Sequence, residues 1–390
     1  MKVKFDSVVI RQDVICILAL ASLTIALRLL LIIDAPSIYF FDSYAYLNEA
    51  IDFASNGTLN YQVGLPFIFV LGCLLKVFGS LLGTVLVLRL FMLFLSVLLV
   101  AITYLLGMKM SESIFALLAS LLVAFEPYFL SFSIVPHNDI FAITMGLLAF
   151  YFATSSKKFC YILSPVFFYL AIFTRPEFYP VFGVPIIVLY LYKGLITGLR
   201  ESISTVAFII FLYIIPFLGF YSVAQAWTRF TVIEKFILFL KPSLLAITIE
   251  SAFTFYDQLI LNQVFSMLFI LGMVVCLTNL CLDSVTIKRK GVLSLISIRF
   301  KNSKSIRNIL KSSGAMIAFC LALVFIIHII TLTVYALGYV IVDGTLEIIP
   351  SLPERYLILS RLLINFPLAY LISLATRRFY VKIARKDHNH

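Results

Sequence analysis

Eleven long apolar runs limit what this chain can become more than any other feature. They fall at about 14–33, 64–78, 85–106, 113–135, 139–153, 159–173, 177–192, 203–223, 261–282, 314–337 and 357–374. Runs of this kind approach the length of a helix that crosses a bilayer. The chain is 62% hydrophobic and 13% charged, more apolar than a soluble domain needs to be. The expected fold is all-α: a polytopic transmembrane helical protein with about ten crossings plus juxtamembrane helices on the outer face. Residues 1–390 read as one membrane domain. Residues 1–13 carry Lys2, Lys4 and Arg11, and the run that follows is too long for a signal-peptide core, so it reads as a retained first span.

Positive charge orients the spans. The basic segments are 1–13, 107–112, 154–158, 193–202, 283–313 and 375–390, and they hold most of the 30 Lys and Arg residues. All are expected in the cytoplasm, with anionic lipid headgroups rather than nucleic acid as the partner of the +11 net charge. Eleven crossings would put the two basic termini on opposite sides. One run should therefore not cross. The best candidate is 64–78, short and interrupted by Gly64, Pro66 and Lys76. It reads as a juxtamembrane or re-entrant helix on the outer face, where protein or a wet cavity can cover its backbone. The loop 224–260 is long and semi-apolar and is expected to lie in the interface. In 283–313, Ile296, Ile298 and Phe300 suggest an amphipathic segment on the inner leaflet. The six cysteines are scattered and read as small core residues.

The outer loops contain the residues with chemistry. The stretch Phe41-Asp-Ser-Tyr-Ala-Tyr46 to Asn56-Gly57 reads as a helix with Asp42, Tyr46, Glu49 and Phe53 on one face. Asp42 is either a helix N-cap or a functional acid. Pro136-His-Asn-Asp139 is a second polar cluster between spans on the same face. Asp139 either caps the following helix or faces the same cavity as Asp42. Asp42, Asp139 and His137 together could hold a divalent cation (Mg, Mn or Zn), or a carboxylate could deprotonate a hydroxyl. Arg28, Arg89, Arg175, Arg355 and Arg361 all fall at outer-leaflet level, against the inside bias of the other basic residues. Such arginines are costly and usually have anionic partners, and a guanidinium fork suits phosphate. Snorkelling to lipid headgroups is the alternative. Glu177 is a partner or orienter for Arg175. His328, alone in an apolar span, reads as a hydrogen-bonded core residue. Walker, dinucleotide, Gly-x-Ser-x-Gly and His-Glu-x-x-His patterns are lacking.

The ordered series of Phe41-Asp-Ser-Tyr-Ala-Tyr46, Gly64-Leu-Pro-Phe-Ile-Phe69, Lys76-Val-Phe-Gly79, Leu88-Arg-Leu90, Phe125-Glu-Pro127, Asp139, Phe173-Thr-Arg-Pro-Glu177 and Glu354-Arg-Tyr-Leu357 resembles the GT-C superfamily of membrane glycosyltransferases, and within it the protein O-mannosyltransferase and ArnT-like branch. The match runs over about residues 10–195, so 1–200 reads as a GT-C-like catalytic core and 201–390 as C-terminal spans with the basic loop. Many relatives carry a second acid where this chain has Ser43. The resemblance implies a sugar donor on polyprenyl (dolichyl or undecaprenyl) phosphate. It implies transfer with inversion to a lipid, glycan or protein acceptor on the outer or lumenal face, with both termini cytoplasmic. It also implies catalytic roles for Asp42 and Asp139, with basic residues on the lipid phosphate: Arg175 and Arg355, then Arg28, Arg89 and Arg361. Tyr46 and Glu177 join this substrate set. Two other expectations share these residues: a non-catalytic polyprenyl-phosphate carrier or flippase, and an envelope-polysaccharide polymerase or ligase.

Overall fold

Helices begin and end where the sequence supplies breakers. The computed structural model describes residues 2–34, 41–59, 64–155, 158–197, 282–290, 293–300, 313–340 and 358–387. In chain order the elements are α1 (Lys2–Asp34), α2 (Phe41–Asn56), α3 (Leu65–Leu82), α4 (Thr84–Met110), α5 (Ser113–Ala124), α6 (Pro127–Phe132), α7 (Asn138–Thr154), α8 (Lys158–Thr174), α9 (Phe178–Thr197), β1 (Leu282–Lys290), β2 (Leu293–Phe300), α10 (Ser313–Val340) and α11 (Ile358–Asp387). Among the described residues, three helical stretches are long and apolar enough to cross a membrane: Asp13–Ile32, Leu65–Leu82 and Thr84–Met110. Shorter apolar helices accompany them, from Ser113–Ala124 to Leu359–Leu374. The expected run 203–223, the loop 224–260, nearly all of the run 261–282, and Arg355 lie outside the described residues.

Among these elements α4 is the hub. It packs against α1, α3, α5, α7 and α10, while α7 lies along α8 and α9, α9 along α10, and α11 along α5 and α10. Glycine permits the tightest crossings. A Cβ on Gly107 would lie 2.7 Å from the Ala116 backbone of α5, and one on Gly146 of α7 would enter the Phe182 ring of α9. Small residues at crossings let membrane helices approach closely, where van der Waals packing drives association. Phe182 is fully buried and has nowhere to swing. Gly146→Ala is therefore expected to cost about 1–3 kcal/mol by overpacking. Thermal unfolding in detergent measures this, and an unchanged midpoint would show that the crossing is looser than described.

Helix α2 ends at the expected Asn56-Gly57, but it includes Phe41, so Asp42 lies inside its first turn and is not its N-cap. Gly57 adopts φ 72° and its N–H donates to the Phe53 carbonyl at 2.9 Å, a glycine stop. Its buried face is Ser43, Tyr46 and Ala50; Asp52 is exposed and Glu49 half-buried. Two expectations are corrected. The apolar run 113–135 is broken into α5 and α6 at Phe125-Glu126. Pro127 has no N–H to continue the helix and disfavours a helical residue before it, and the Glu126 carboxylate caps the new start by accepting from Phe129 N at 2.5 Å. The second correction concerns 283–313, where an antiparallel hairpin pairs Val285 with Ile298 and Ile287 with Ile296. Apolar residues at 296, 298 and 300 have a period of two, which is a strand pattern. Among the described residues, every other element is a helix.

Candidate functional site

The start of α7 sets the site. His137 is extended (φ −131°, ψ 126°), so the helix begins at Asn138 and Asp139 lies inside its first turn. Asp139 is not the N-cap. Its carboxylate is held on both sides: Oδ1 lies 2.6 Å from Arg175 Nη2, and Oδ2 lies 2.5 Å from His137 Nδ1. Arg175 occupies the corner between α8 and α9. The corner forms because Pro176 cannot extend α8, while Arg175 N closes the last turn on Ala171 O at 2.8 Å and Phe178 N opens the next on Arg175 O at 3.0 Å. Arg175 Nη1 donates to Glu177 Oε1 at 3.3 Å. One guanidinium thus joins two carboxylates, and His137, Asp139 and Arg175 are all buried. Desolvated charges of this kind persist only when paired.

Other elements close around this chain of charges. His328 of α10 is buried, with Nδ1 2.6 Å from Ser360 Oγ at the start of α11. Its ring packs 5.9 Å from Phe178, and it lies within electrostatic reach of Asp139. The expectation of a hydrogen-bonded core histidine holds, but its neighbourhood was not foreseen. The available signal was cost, since a lone imidazole inside an apolar span needs a reason to be there. Arg361 follows Ser360 and is 1% exposed. On the other side, Tyr46 of α2 is buried with its ring 6.5 Å from that of His137. Gly64, at φ 77°, lies against Asn138 and Tyr46. Asp42 stands in the first turn of α2, about 6 Å of helix rise before Tyr46. The acid-bearing loop helix and the 136–139 segment therefore meet through Tyr46.

The arginines do not form one group. Arg28 is held by protein groups. It is 0% exposed, donates through Nη1 to Ala124 O at 2.9 Å and through Nε to Ser133 Oγ at 3.2 Å, and stacks 4.7 Å above Phe129. It satisfies the carbonyl left over where α5 breaks. Arg89 is half-exposed in the second turn of α4. Among the described residues no group of three or more His, Cys, Asp or Glu side chains is arranged to hold a metal ion. Asp139 already gives its oxygens to Arg175 and His137, so the described residues fit a divalent cation poorly.

No protein-family model matches the sequence, and no curated protein matches it. Among solved structures the chain is similar to the archaeal oligosaccharyltransferase AglB from Archaeoglobus fulgidus in complex with an inhibitory peptide and a dolichol-phosphate. The TM-score is 0.55 at 13% identity, over 97% of this chain and 52% of that one. It is also similar to the Archaeoglobus fulgidus oligosaccharyltransferase in the apo form, with a TM-score of 0.46 at 13% identity over 96% and 52%. The chain spans about half the length of these structures. The likeness is one of fold. It agrees with the expected helical membrane fold and does not single out the O-mannosyltransferase and ArnT-like branch.

Proposed function

We propose that this chain is a membrane glycosyltransferase that moves a sugar from polyprenyl phosphate, dolichyl or undecaprenyl, to a hydroxyl-bearing acceptor. The observation that carries the reading is the buried chain His137–Asp139–Arg175–Glu177, joined through Tyr46 to the helix that bears Asp42, in a GT-C-like fold. AglB is an oligosaccharyltransferase described with a dolichol-phosphate and a peptide, which supports a polyprenyl-phosphate ligand and, among the lipid, glycan and protein acceptors, a protein one. The basic-segment pattern supports a site on the outer or lumenal face with both termini cytoplasmic.

In the proposed step, Asp42 accepts the proton of the acceptor hydroxyl. The oxygen attacks the anomeric carbon from the face opposite the phosphate. The carbon–oxygen bond to phosphate breaks, its electron pair leaves with the polyprenyl phosphate, and the anomeric centre inverts. A base at the acceptor and cations at the leaving phosphate are what such a transition state requires. Arg361 and Arg355 are proposed for the phosphate, with Arg89 on the approach. Arg175 is assigned to positioning, because its charge is already shared by Asp139 and Glu177. The test is turnover by the full chain in liposomes holding radiolabelled dolichyl-phosphate mannose or glucose and an acceptor peptide or lipid extract. Release of dolichyl phosphate coupled to a labelled acceptor is expected. Absence of both with either donor would reject the reading.

A further inference from the structure

Three buried polar side chains lacking hydrogen-bond partners occur where α2, the start of α3 and the start of α7 come together. They are Ser43 through Oγ, His137 through Nε2, and Asn138 through both Nδ2 and Oδ1. Each residue is 0% exposed. Because both Asn138 atoms are unpartnered, the observation does not depend on which way the amide is turned. Asn138 Nδ2 and Tyr46 Cε1 lie 3.1 and 3.4 Å from the point where a Cβ on Gly64 would stand. The amide, Tyr46 and the glycine thus share one corner. The His137 ring stands between Tyr46, at 6.5 Å, and Phe132, at 5.6 Å. Ser43 is one turn before Tyr46, on the same buried face of α2.

The His137 tautomer follows from its neighbour. With Nδ1 2.5 Å from the Asp139 carboxylate, a ring proton belongs on Nδ1, and Nε2 keeps no protein partner. The Asp139 N–H also approaches Nδ1, but only at 3.5 Å, too long to decide the matter against the carboxylate.

Buried polar atoms are nearly always paired in folded proteins. Packing alone would be served here by apolar side chains like the adjacent Phe67 and Phe132. An asparagine with both amide atoms unsatisfied, beside an unpartnered imidazole nitrogen, is instead complementary to neighbouring hydroxyls. The amide N–H donates to one oxygen, the amide carbonyl accepts from the next, and Nε2 pairs with one of the same two, since a hydroxyl both donates and accepts. Adjacent hydroxyls on a rigid ring are the pattern of a pyranose. We infer that His137 Nε2 and the Asn138 carboxamide, with Ser43 beside them, recognise a vicinal diol on the donor sugar. This rests on the glycosyltransferase reading and deepens it, making 137–138 the specificity-determining pair. It limits the donor to a sugar whose ring carries adjacent free hydroxyls.

The test uses the full chain in nanodiscs. Binding is measured for dolichyl-phosphate mannose and glucose and for their 2-, 3- and 4-deoxy analogues, with transfer assayed in parallel. The wild type is expected to bind at least one parent donor, and one or two of its deoxy analogues about 10- to 100-fold more weakly. Asn138→Leu is expected to weaken the parent to the level of those analogues and to lose the distinction between them. Its melting temperature should not fall, since removing an unpaired buried amide removes a cost. Should the leucine variant fail to fold, Asn138→Ala must show the same loss of distinction. The inference is overturned if the variant keeps the wild-type ranking, which would mean that the amide holds only a buried water. It is also overturned, by itself, if the wild type transfers sugar yet binds every deoxy analogue as tightly as its parent. A wild type that neither binds nor transfers either parent overturns the glycosyltransferase reading and this inference with it.

Discussion

Arg175→Met is expected to destabilise the protein by about 3–5 kcal/mol and to abolish transfer. Arg175 is 4% exposed and bridges Asp139 at 2.6 Å and Glu177 at 3.3 Å. Methionine fills most of its volume but leaves two carboxylates facing each other with their common cation gone. The cost is that of the uncompensated buried charge, not of the lost contact alone. This gives the prediction a signature that a generic core defect lacks. The double variant Arg175→Met with Asp139→Asn removes the stranded charge together with the cation, so it should recover part of the lost stability. A coupling of about 0.5–3 kcal/mol is expected between the two sites. Thermal unfolding of the parent, both single variants and the double variant in one detergent measures it. Strict additivity would mean that Arg175 and Asp139 do not act as a unit. The double variant should regain stability without regaining transfer, because His137 loses the carboxylate that sets its tautomer.

Much of this arrangement was legible in the sequence, for identifiable reasons. Apolar length and proline and glycine punctuation reveal α7 and α8 to within one residue at each end, and the apolar parts of α1, α4 and α9, because in an apolar environment the backbone must satisfy itself and few alternatives exist. Sequence reading put Asp139 with His137 and Arg175 with Glu177, because each pair shares one short polar loop on the same face; that the Arg175 guanidinium joins the two pairs was not foreseen. The arginine set was harder. Sequence position gives depth in the membrane but not azimuth around the helix. Arg28 and Arg175 share a predicted level, yet one closes the α5–α6 break and the other pairs with acids. His328 and Ser360 were missed as neighbours because they meet across 32 residues of chain, a contact that no periodicity encodes. The hairpin was missed because a two-residue period was read as a single amphipathic face. Ser43 has a physical context. The position is fully buried beside Tyr46, where a second carboxylate would have to be paired or paid for in desolvation.

The largest functional effect is expected from Asp42→Asn, with transfer falling about 10²- to 10⁴-fold and the fold intact. Asparagine keeps the size and the hydrogen-bonding reach of aspartate. What it loses in the first turn of α2 is the interaction of a negative charge with the helix dipole, about 0.3–1 kcal/mol. A purely structural Asp42 would therefore give a small change in melting temperature and no change in rate. A proton acceptor gives the reverse: near-normal melting, near-normal binding of the lipid-linked sugar, and a collapse of kcat. Asp139→Asn supplies the contrast. It leaves the Arg175 guanidinium with one carboxylate fewer in a buried setting, so rate and stability should fall together. If Asp42→Asn retains full transfer, the base is not on α2, and the Asp139-oriented Nε2 of His137 becomes the residue to substitute next.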